Sequence, residues 1–140
     1  MTNISIIENK ISQIKQFRKI LKGLSKYSKK EIENNIMLRS GIERLLQNIC
    51  QACIDLANLI ISYKKERKPV EQREYFLILV EEHIISREMA ETMIRLVGFR
   101  NILVHEYARV DYDIVYDVLT NRMRDIDNFV KTIKTKILKN

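Results

Sequence analysis

Residues 42–60 read IERLLQNICQACIDLANLI, a stretch without glycine or proline in which apolar side chains recur every three or four positions. This spacing is typical of an amphipathic α-helix with one buried face. Upstream, Ser28 and Glu31 have the spacing of a capping box at a helix start. We therefore predict one long helix from about residue 29 to about Tyr63, and we expect it to be the spine of the fold.

Helical periodicity covers most of the remaining chain. Residues 3–24 carry a narrow apolar stripe, and a charged connector containing Pro69 precedes a short helix that ends near His83. Ser86 is placed to begin another helix, and a last helix is predicted over residues 112–138. The predicted fold class is all-α, an up-down helical bundle of about four to five helices.

Composition agrees with this architecture. The chain has 140 residues, enough for one domain over residues 1–140 with its own core. Hydrophobic residues make up 46% and charged residues 31%, a balance typical of globular rather than disordered proteins. Only three glycines and one proline are present, so the turn residues of a β-rich fold are missing.

Net charge and the N-terminal sequence indicate which partners and which cellular location to expect. A formal charge of +7 favours an anionic partner, which could be nucleic acid, an acidic protein or a membrane surface. The basic residues are scattered, with concentrations at residues 64–68 and in the last helix, and we interpret them as mainly solvated surface charge. The N-terminal residues do not resemble a secretory signal, and no run approaches the ~18 apolar residues of a membrane span. We therefore expect a cytoplasmic protein without a membrane partner.

Cys50 and Cys53 lie three residues apart inside the apolar helix. A redox pair would normally open a helix, and a zinc site would need two further ligands, for which only His83 and His105 are present. We interpret both cysteines as reduced core thiols and expect no metal site.

The strongest candidate for chemistry is the segment GFRNILVHEY at residues 98–107, which contains Arg100, Asn101, His105 and Tyr107. Histidine exchanges protons near neutrality, and the arginine fork matches phosphate oxygens. As residue types alone they also fit a structural interpretation, with a histidine satisfied in the bundle, an arginine paired with an acid and a tyrosine acting as an amphipathic anchor.

The segments GFRN (98–101), VHEY (104–107) and QACIDLA (51–57) together resemble the HEPN superfamily, and within it the HepT-like toxins. The resemblance implies a HEPN-like bundle that acts as a metal-independent RNA endonuclease, without a cofactor and usually as a homodimer with its cleft between subunits. Arg100 and His105 match the catalytic pair, and Asn101 matches a polar position between them. His105 would be the acid or base, and Arg100 would stabilise the charged transition state.

The same resemblance implies a partner, a minimal nucleotidyltransferase antitoxin of the MntA type. Such an antitoxin silences the toxin by AMP transfer onto the motif tyrosine, here Tyr107. A bulky anionic nucleotide at that position would oppose the attraction of Arg100 for RNA phosphate. The alternative hypothesis is a non-catalytic helical module that docks a nucleotidyltransferase and a nucleotide.

Helix geometry separates the motif into two faces. At ~100° per residue, Arg100 and Tyr107 lie within ~20° of each other, Asn101 and His105 within ~40°, and Arg100 and His105 ~140° apart. Arg100 must therefore reach around the helix, or the helix must bend, or two subunits must complement each other. We expect two copies of the motif helix to meet across a two-fold axis.

Two acidic residues of the long helix complete the candidates. Asp55 is flanked by apolar neighbours and could support the site by orienting His105 or Arg100, although a solvated or locally paired carboxylate fits equally well. Glu43 is interpreted as surface charge.

Overall fold

The computed structural model describes residues 3–105 and 110–138, apart from the side chains of residues 104 and 105. Within these ranges every regular element is helical, in agreement with the predicted all-α class. The elements are α1 (Asn3–Leu24), α2 (Lys29–Glu33), α3 (Ile36–Tyr63), α4 (Gln72–Glu81), α5 (Arg87–His105), α6 (Tyr112–Asp117) and α7 (Met123–Ile133).

The last helix is continuous but not uniform. A π-helical segment, Val118–Arg122, joins α6 to α7, and a second, Lys134–Leu138, extends α7. We refer to residues 112–138 as the C-terminal helix. Its extent matches the sequence prediction. The two π-helical segments were not predicted, because the spacing of the apolar residues does not distinguish them from α-helix.

The predicted long helix is wrong at its start, because it is divided into α2 and α3. The capping box is present, with the Glu31 amide donating to Ser28 Oγ and the Ser28 amide to the Glu31 carboxylate. However, the backbone of Asn35 is extended, and its Oδ1 accepts the Leu38 amide at 3.0 Å. Asparagine favours such N-cap geometry over a helix interior. The chain therefore ends one short helix and begins α3.

α3 occupies the middle of the bundle. It packs against α1 on one side and α5 on the other, and α4 covers α3 and α5. The C-terminal helix completes the bundle through contacts of α7 with α5 and of the first π-helical segment with α1. Phe76 of α4 and Phe129 of α7 are fully buried and meet edge to face, with ring centroids 5.7 Å apart.

Both cysteines belong to this core, as predicted. Cys50 and Cys53 are free thiols with no exposed surface. Burial raises the pKa of the Cys50 thiol to about 12, and burial raises that of Cys53 as well. Both side chains are therefore protonated at neutral pH and serve as small apolar groups.

The sequence contains no run of ~18 apolar residues, yet the average composition of α3 is that of a possible membrane span. This helix is 28 residues long and, by length and composition alone, apolar enough to cross a bilayer. In the bundle, however, 56% of its most apolar window is buried by the other helices. Most of the apolar residues in the middle of α3 thus have partners within the chain, whereas Ile36 and Met37 at its start are exposed.

Candidate active site

The motif lies on the last turns of α5. Ser86 precedes this helix and accepts the Met89 amide at 3.0 Å, as its predicted position required. The helix then continues without interruption through Gly98 and Arg100 to His105. Its buried face packs the motif helix on the core. This buried face comprises Ala90, Met93, Leu96, Val97, Phe99 and Leu103.

Arg100 is half-buried, and its guanidinium is only partly satisfied. Its Nη1 donates to Asn101 Oδ1 at 3.3 Å. Its Nε is enclosed and has no hydrogen-bond partner among the residues that the structure describes. A buried donor without a partner is uncommon and costs free energy, so it indicates a group kept for something other than stability. The positive charge lies close enough to Cys50 of α3 to oppose, in part, the rise in the pKa of that thiol.

Asn101 links the motif to a neighbouring helix. Its Nδ2 donates to Oε1 of Gln72, the first residue of α4, at 3.2 Å. Because its Oδ1 accepts from Arg100, the three side chains form a chain of hydrogen bonds from α4 to the arginine. Gln72 was not found from the sequence, since it lies at the end of a polar connector where no spacing marks it.

Arg100 and His105 lie ~140° apart around the helix axis, and the structure shows how the arginine side chain narrows this separation. α5 remains α-helical from Arg100 to His105, so the helix is not interrupted between these two residues. Instead, the Arg100 guanidinium turns towards Asn101, which lies within ~40° of His105 around the helix axis. The Arg100 side chain therefore extends around α5 towards the face that carries Asn101 and His105.

Two contacts with α3 hold the motif and the chain that follows it. Gln47 Nε2 donates to the carbonyl of Leu103 at 3.5 Å, in the last turn of α5. The hydroxyl of Tyr112, at the start of α6, donates to the carboxylate of Glu43. Gln47 and Glu43 are four residues apart, one turn of α3. The motif, at Leu103, and the chain after it, at Tyr112, are thus anchored one turn apart on the central helix.

Glu43 is consequently not the surface charge that the sequence indicated. Its side chain is half-buried beneath Tyr112, and burial raises the pKa of its carboxyl, opposed by the charge of Arg39. Folding therefore shifts the equilibrium of this carboxyl towards its neutral form relative to the unfolded chain.

A pH prediction follows for Glu43. A carboxyl whose pKa is raised on folding contributes stability that is fully present below its ordinary pKa and lost as the pH rises through the raised value. Glu43→Gln keeps an oxygen that can accept from Tyr112 but cannot ionise. We expect the free energy of unfolding of this variant to increase relative to that of the unsubstituted protein as the pH rises above about 4, the ordinary pKa of a glutamate. Urea titration at several pH values measures the difference, and the exposed Glu8→Gln serves as the matched control. A difference that is independent of pH would contradict the prediction.

Among the described residues, Asp55 contacts Gln51 and Lys10 and not Arg100, one of the two residues it was proposed to orient. Its Oδ1 accepts from Gln51 at 2.9 Å, and its Oδ2 is 3.6 Å from Nζ of Lys10 on α1. Its described contacts thus lie within α3 and towards α1 rather than α5. They favour the local pairing, and a supporting role of Asp55 stays a prediction.

The structure places the remaining motif residues less completely. His105 is the last residue of α5, and its side chain lies outside the described residues. Tyr107 also lies outside them. Over residues 3–105 and 110–138, no group of three or more His, Cys, Asp or Glu side chains could hold a metal ion.

Fold and site together define a class, helical-bundle proteins that present an arginine and a histidine on the last turns of one helix. Comparison with known families agrees over nearly the whole chain, because the family described as Ribonuclease HepT-like matches residues 7–133. The chain therefore belongs to the ribonuclease HepT-like family of the HEPN superfamily. The predicted family, the HEPN-like fold and the assignment to the ribonucleases are confirmed.

Individual relatives extend the match. An mRNA nuclease HepT of Shewanella oneidensis is 30% identical over 131 residues, covering 94% of this chain and 98% of the relative. A tRNA nuclease HepT of Aphanizomenon flos-aquae is 31% identical over 140 residues, covering 99% and 95%. Among solved structures, the tri-AMPylated S. oneidensis HEPN toxin in complex with MNT antitoxin has a TM-score of 0.87 at 30% identity, covering 97% of this chain and 100% of that one.

Proposed function

We propose that this protein is the toxin of a toxin–antitoxin pair, an RNA endonuclease that needs no metal ion and acts in the cytoplasm as a single domain. The observation that carries the proposal is the position of Arg100. Its guanidinium has an enclosed Nε without a partner among the described residues, and it turns towards the face of α5 that Asn101 shares with His105. An arginine and a histidine on neighbouring turns of one helix supply the cation and the proton acceptor for phosphodiester cleavage without a metal ion.

In the proposed reaction, His105 acts as the general base and removes the proton of an RNA 2′-hydroxyl. The 2′-oxygen then forms a bond to the adjacent phosphorus, and the bond from phosphorus to the 5′-oxygen breaks. The leaving 5′-oxygen takes up a proton, so the products are a 2′,3′-cyclic phosphate and a 5′-hydroxyl. Arg100 stabilises the negative charge that accumulates on the phosphorus oxygens, and Asn101 holds the guanidinium in place.

A homodimer is part of the proposal. Ile102, on α5 between Asn101 and His105, is 40% exposed in the single chain. An apolar side chain beside the motif is suited to a helix contact between two copies, although isolated exposed apolar residues also occur on ordinary surfaces. Across a two-fold axis, each motif would then face its copy.

The proposed protein partner is a minimal nucleotidyltransferase antitoxin of the MntA type that transfers AMP to Tyr107. Support comes from the solved relative, which is a tri-AMPylated toxin in complex with its MNT antitoxin. The proposed substrate is RNA. The two curated relatives are named for mRNA and for tRNA, so they do not select one class.

The decisive experiment is an RNA cleavage assay with the purified protein in EDTA. We expect cleavage that leaves a 2′,3′-cyclic phosphate, and we expect His105→Ala to slow it about 10²- to 10⁴-fold, the usual contribution of a general acid or base. A substrate with 2′-deoxyribose at the cleaved position should stay intact, because it lacks the attacking hydroxyl.

His83→Ala is the matched control for this assay. His83 lies between α4 and α5 in a left-handed backbone conformation, away from the motif, and should leave the rate unchanged. Undiminished cleavage by His105→Ala would point to a contaminating nuclease and contradict the proposal. If the unsubstituted protein cleaves no RNA but binds the nucleotidyltransferase, the non-catalytic module is the better description.

A further inference from the structure

A second site candidate lies on a different seam of the bundle from Arg100. Arg100 lies near Cys50 of α3, whereas a cavity of about 520 Å³ opens between α1 and the C-terminal helix. Its apolar floor is formed by Ile14, Val130 and Leu138. Ile14 and Val130 are almost completely buried, so this floor is continuous with the core. We call this cavity the lysine groove, after the three lysines at its edge, Lys15, Lys131 and Lys134.

The charges around the lysine groove are not balanced. Arg18 also lines it, but its Nε is paired with Asp127 Oδ1 at 3.0 Å. In the described ranges, none of the three lysines has a carboxylate within salt-bridge distance. Positive charges on two helices thus converge over an apolar surface, and Asp127, the one carboxylate that lines the groove among the described residues, is already engaged by the arginine.

Lys15 and Lys134 show this imbalance most clearly. Lys15 projects from α1 and Lys134 from the C-terminal helix, and the two ammonium groups lie within interaction distance. Contact with Lys134, reinforced by its charge and by slight burial, lowers the pKa of Lys15. Like charges so close repel each other, and a bound anion would convert the repulsion into attraction.

We propose that the lysine groove binds a nucleoside di- or triphosphate. Three ammonium groups without a described carboxylate partner match the three to four negative charges of such a ligand, and the apolar floor accepts the flat face of a base. A cavity of this volume lies in the usual range for small-molecule sites. An inorganic anion would leave the floor uncovered, and a neutral nucleoside would leave the lysines unpaired. The proposal is independent of nuclease activity.

Isothermal titration calorimetry of the full-length protein with ATP, in EDTA so that the nucleotide keeps its full charge, tests this site. We expect saturable binding that weakens as salt rises, because charged contacts at a surface are screened. Adenosine, and separately inorganic triphosphate, should each bind at least about tenfold more weakly than ATP, since each lacks one half of the recognised chemistry.

Lys15→Gln and Lys134→Gln should each weaken ATP binding about tenfold, the effect of losing one charged hydrogen bond. Lys30→Gln is the matched control, because it removes the same charge from an exposed lysine on α2 and should leave the affinity unchanged. Thermal unfolding of each variant verifies that the fold is intact.

Three results would overturn the proposal. The first is the absence of ATP binding at millimolar concentration. The second is an equal loss in Lys30→Gln, which would indicate a diffuse effect of net charge. The third is binding of single-stranded RNA, but not of ATP, through Lys15 and Lys134, which would make the groove a contact for the polymer.

Discussion

Replacing Arg100 with lysine is expected to slow RNA cleavage almost as much as replacing it with alanine, about 10²- to 10³-fold. The reason is the shape of the group rather than its charge. The guanidinium donates to Asn101 through Nη1 while its Nε remains enclosed and unused. A single ammonium at the end of a flexible stem cannot hold Asn101 and also present a fork of donors to phosphate oxygens. Single-turnover cleavage by Arg100→Lys and Arg100→Ala measures the effect.

Stability separates this role from a structural one. Removing Arg100 gives up one long hydrogen bond but also removes a buried donor without a described partner. We therefore expect the thermal midpoint of Arg100→Ala to equal or exceed that of the unsubstituted protein. Arg95→Lys is the matched control, because Arg95 is an exposed residue of the same helix that donates to Thr92. Retention of more than half of the cleavage rate by Arg100→Lys would show that charge alone suffices.

The sequence predicted the helices where apolar spacing decides the structure and missed what isolated polar contacts decide. Residues 3–24 and 112–138 have the predicted extents. The division between α2 and α3 depends instead on the side chain of Asn35, which accepts one backbone amide. Asparagine also occurs in helices that continue, so the residue type alone did not reveal the division.

The candidate site shows the same limit. The motif spacing and the family resemblance selected Arg100, Asn101 and His105, and the structure places all three on α5. The supporting contacts of Gln72 and Gln47 join residues 29 and 56 positions apart. No local pattern reports contacts between residues so far apart, and Glu43 was misread because its partner Tyr112 is 69 positions away. Long-range polar pairs are therefore what the structure adds to the motif.

AMP transfer to Tyr107 is expected to reduce RNA cleavage at least about 10²-fold, comparable to the loss of Arg100. On a continuous helix, Tyr107 would lie within ~20° of Arg100, so that an attached phosphate could occupy the guanidinium that RNA needs. The proposed antitoxin would thus cancel the same charge that the Arg100 substitutions remove. Incubation with the nucleotidyltransferase and ATP, followed by intact-mass measurement and a cleavage assay on the same sample, tests this directly.

Tyr107→Phe distinguishes modification from docking. The variant retains the aromatic ring but lacks the accepting oxygen, so it should gain no AMP at this position and keep its cleavage rate after incubation with the partner and ATP. Tyr112→Phe is the matched control, because Tyr112 donates to Glu43 rather than lying in the motif, and this variant should still be modified and silenced. If Tyr107→Phe is silenced without a gain in mass, the partner inhibits by covering the active site, and the tyrosine is not the regulatory acceptor.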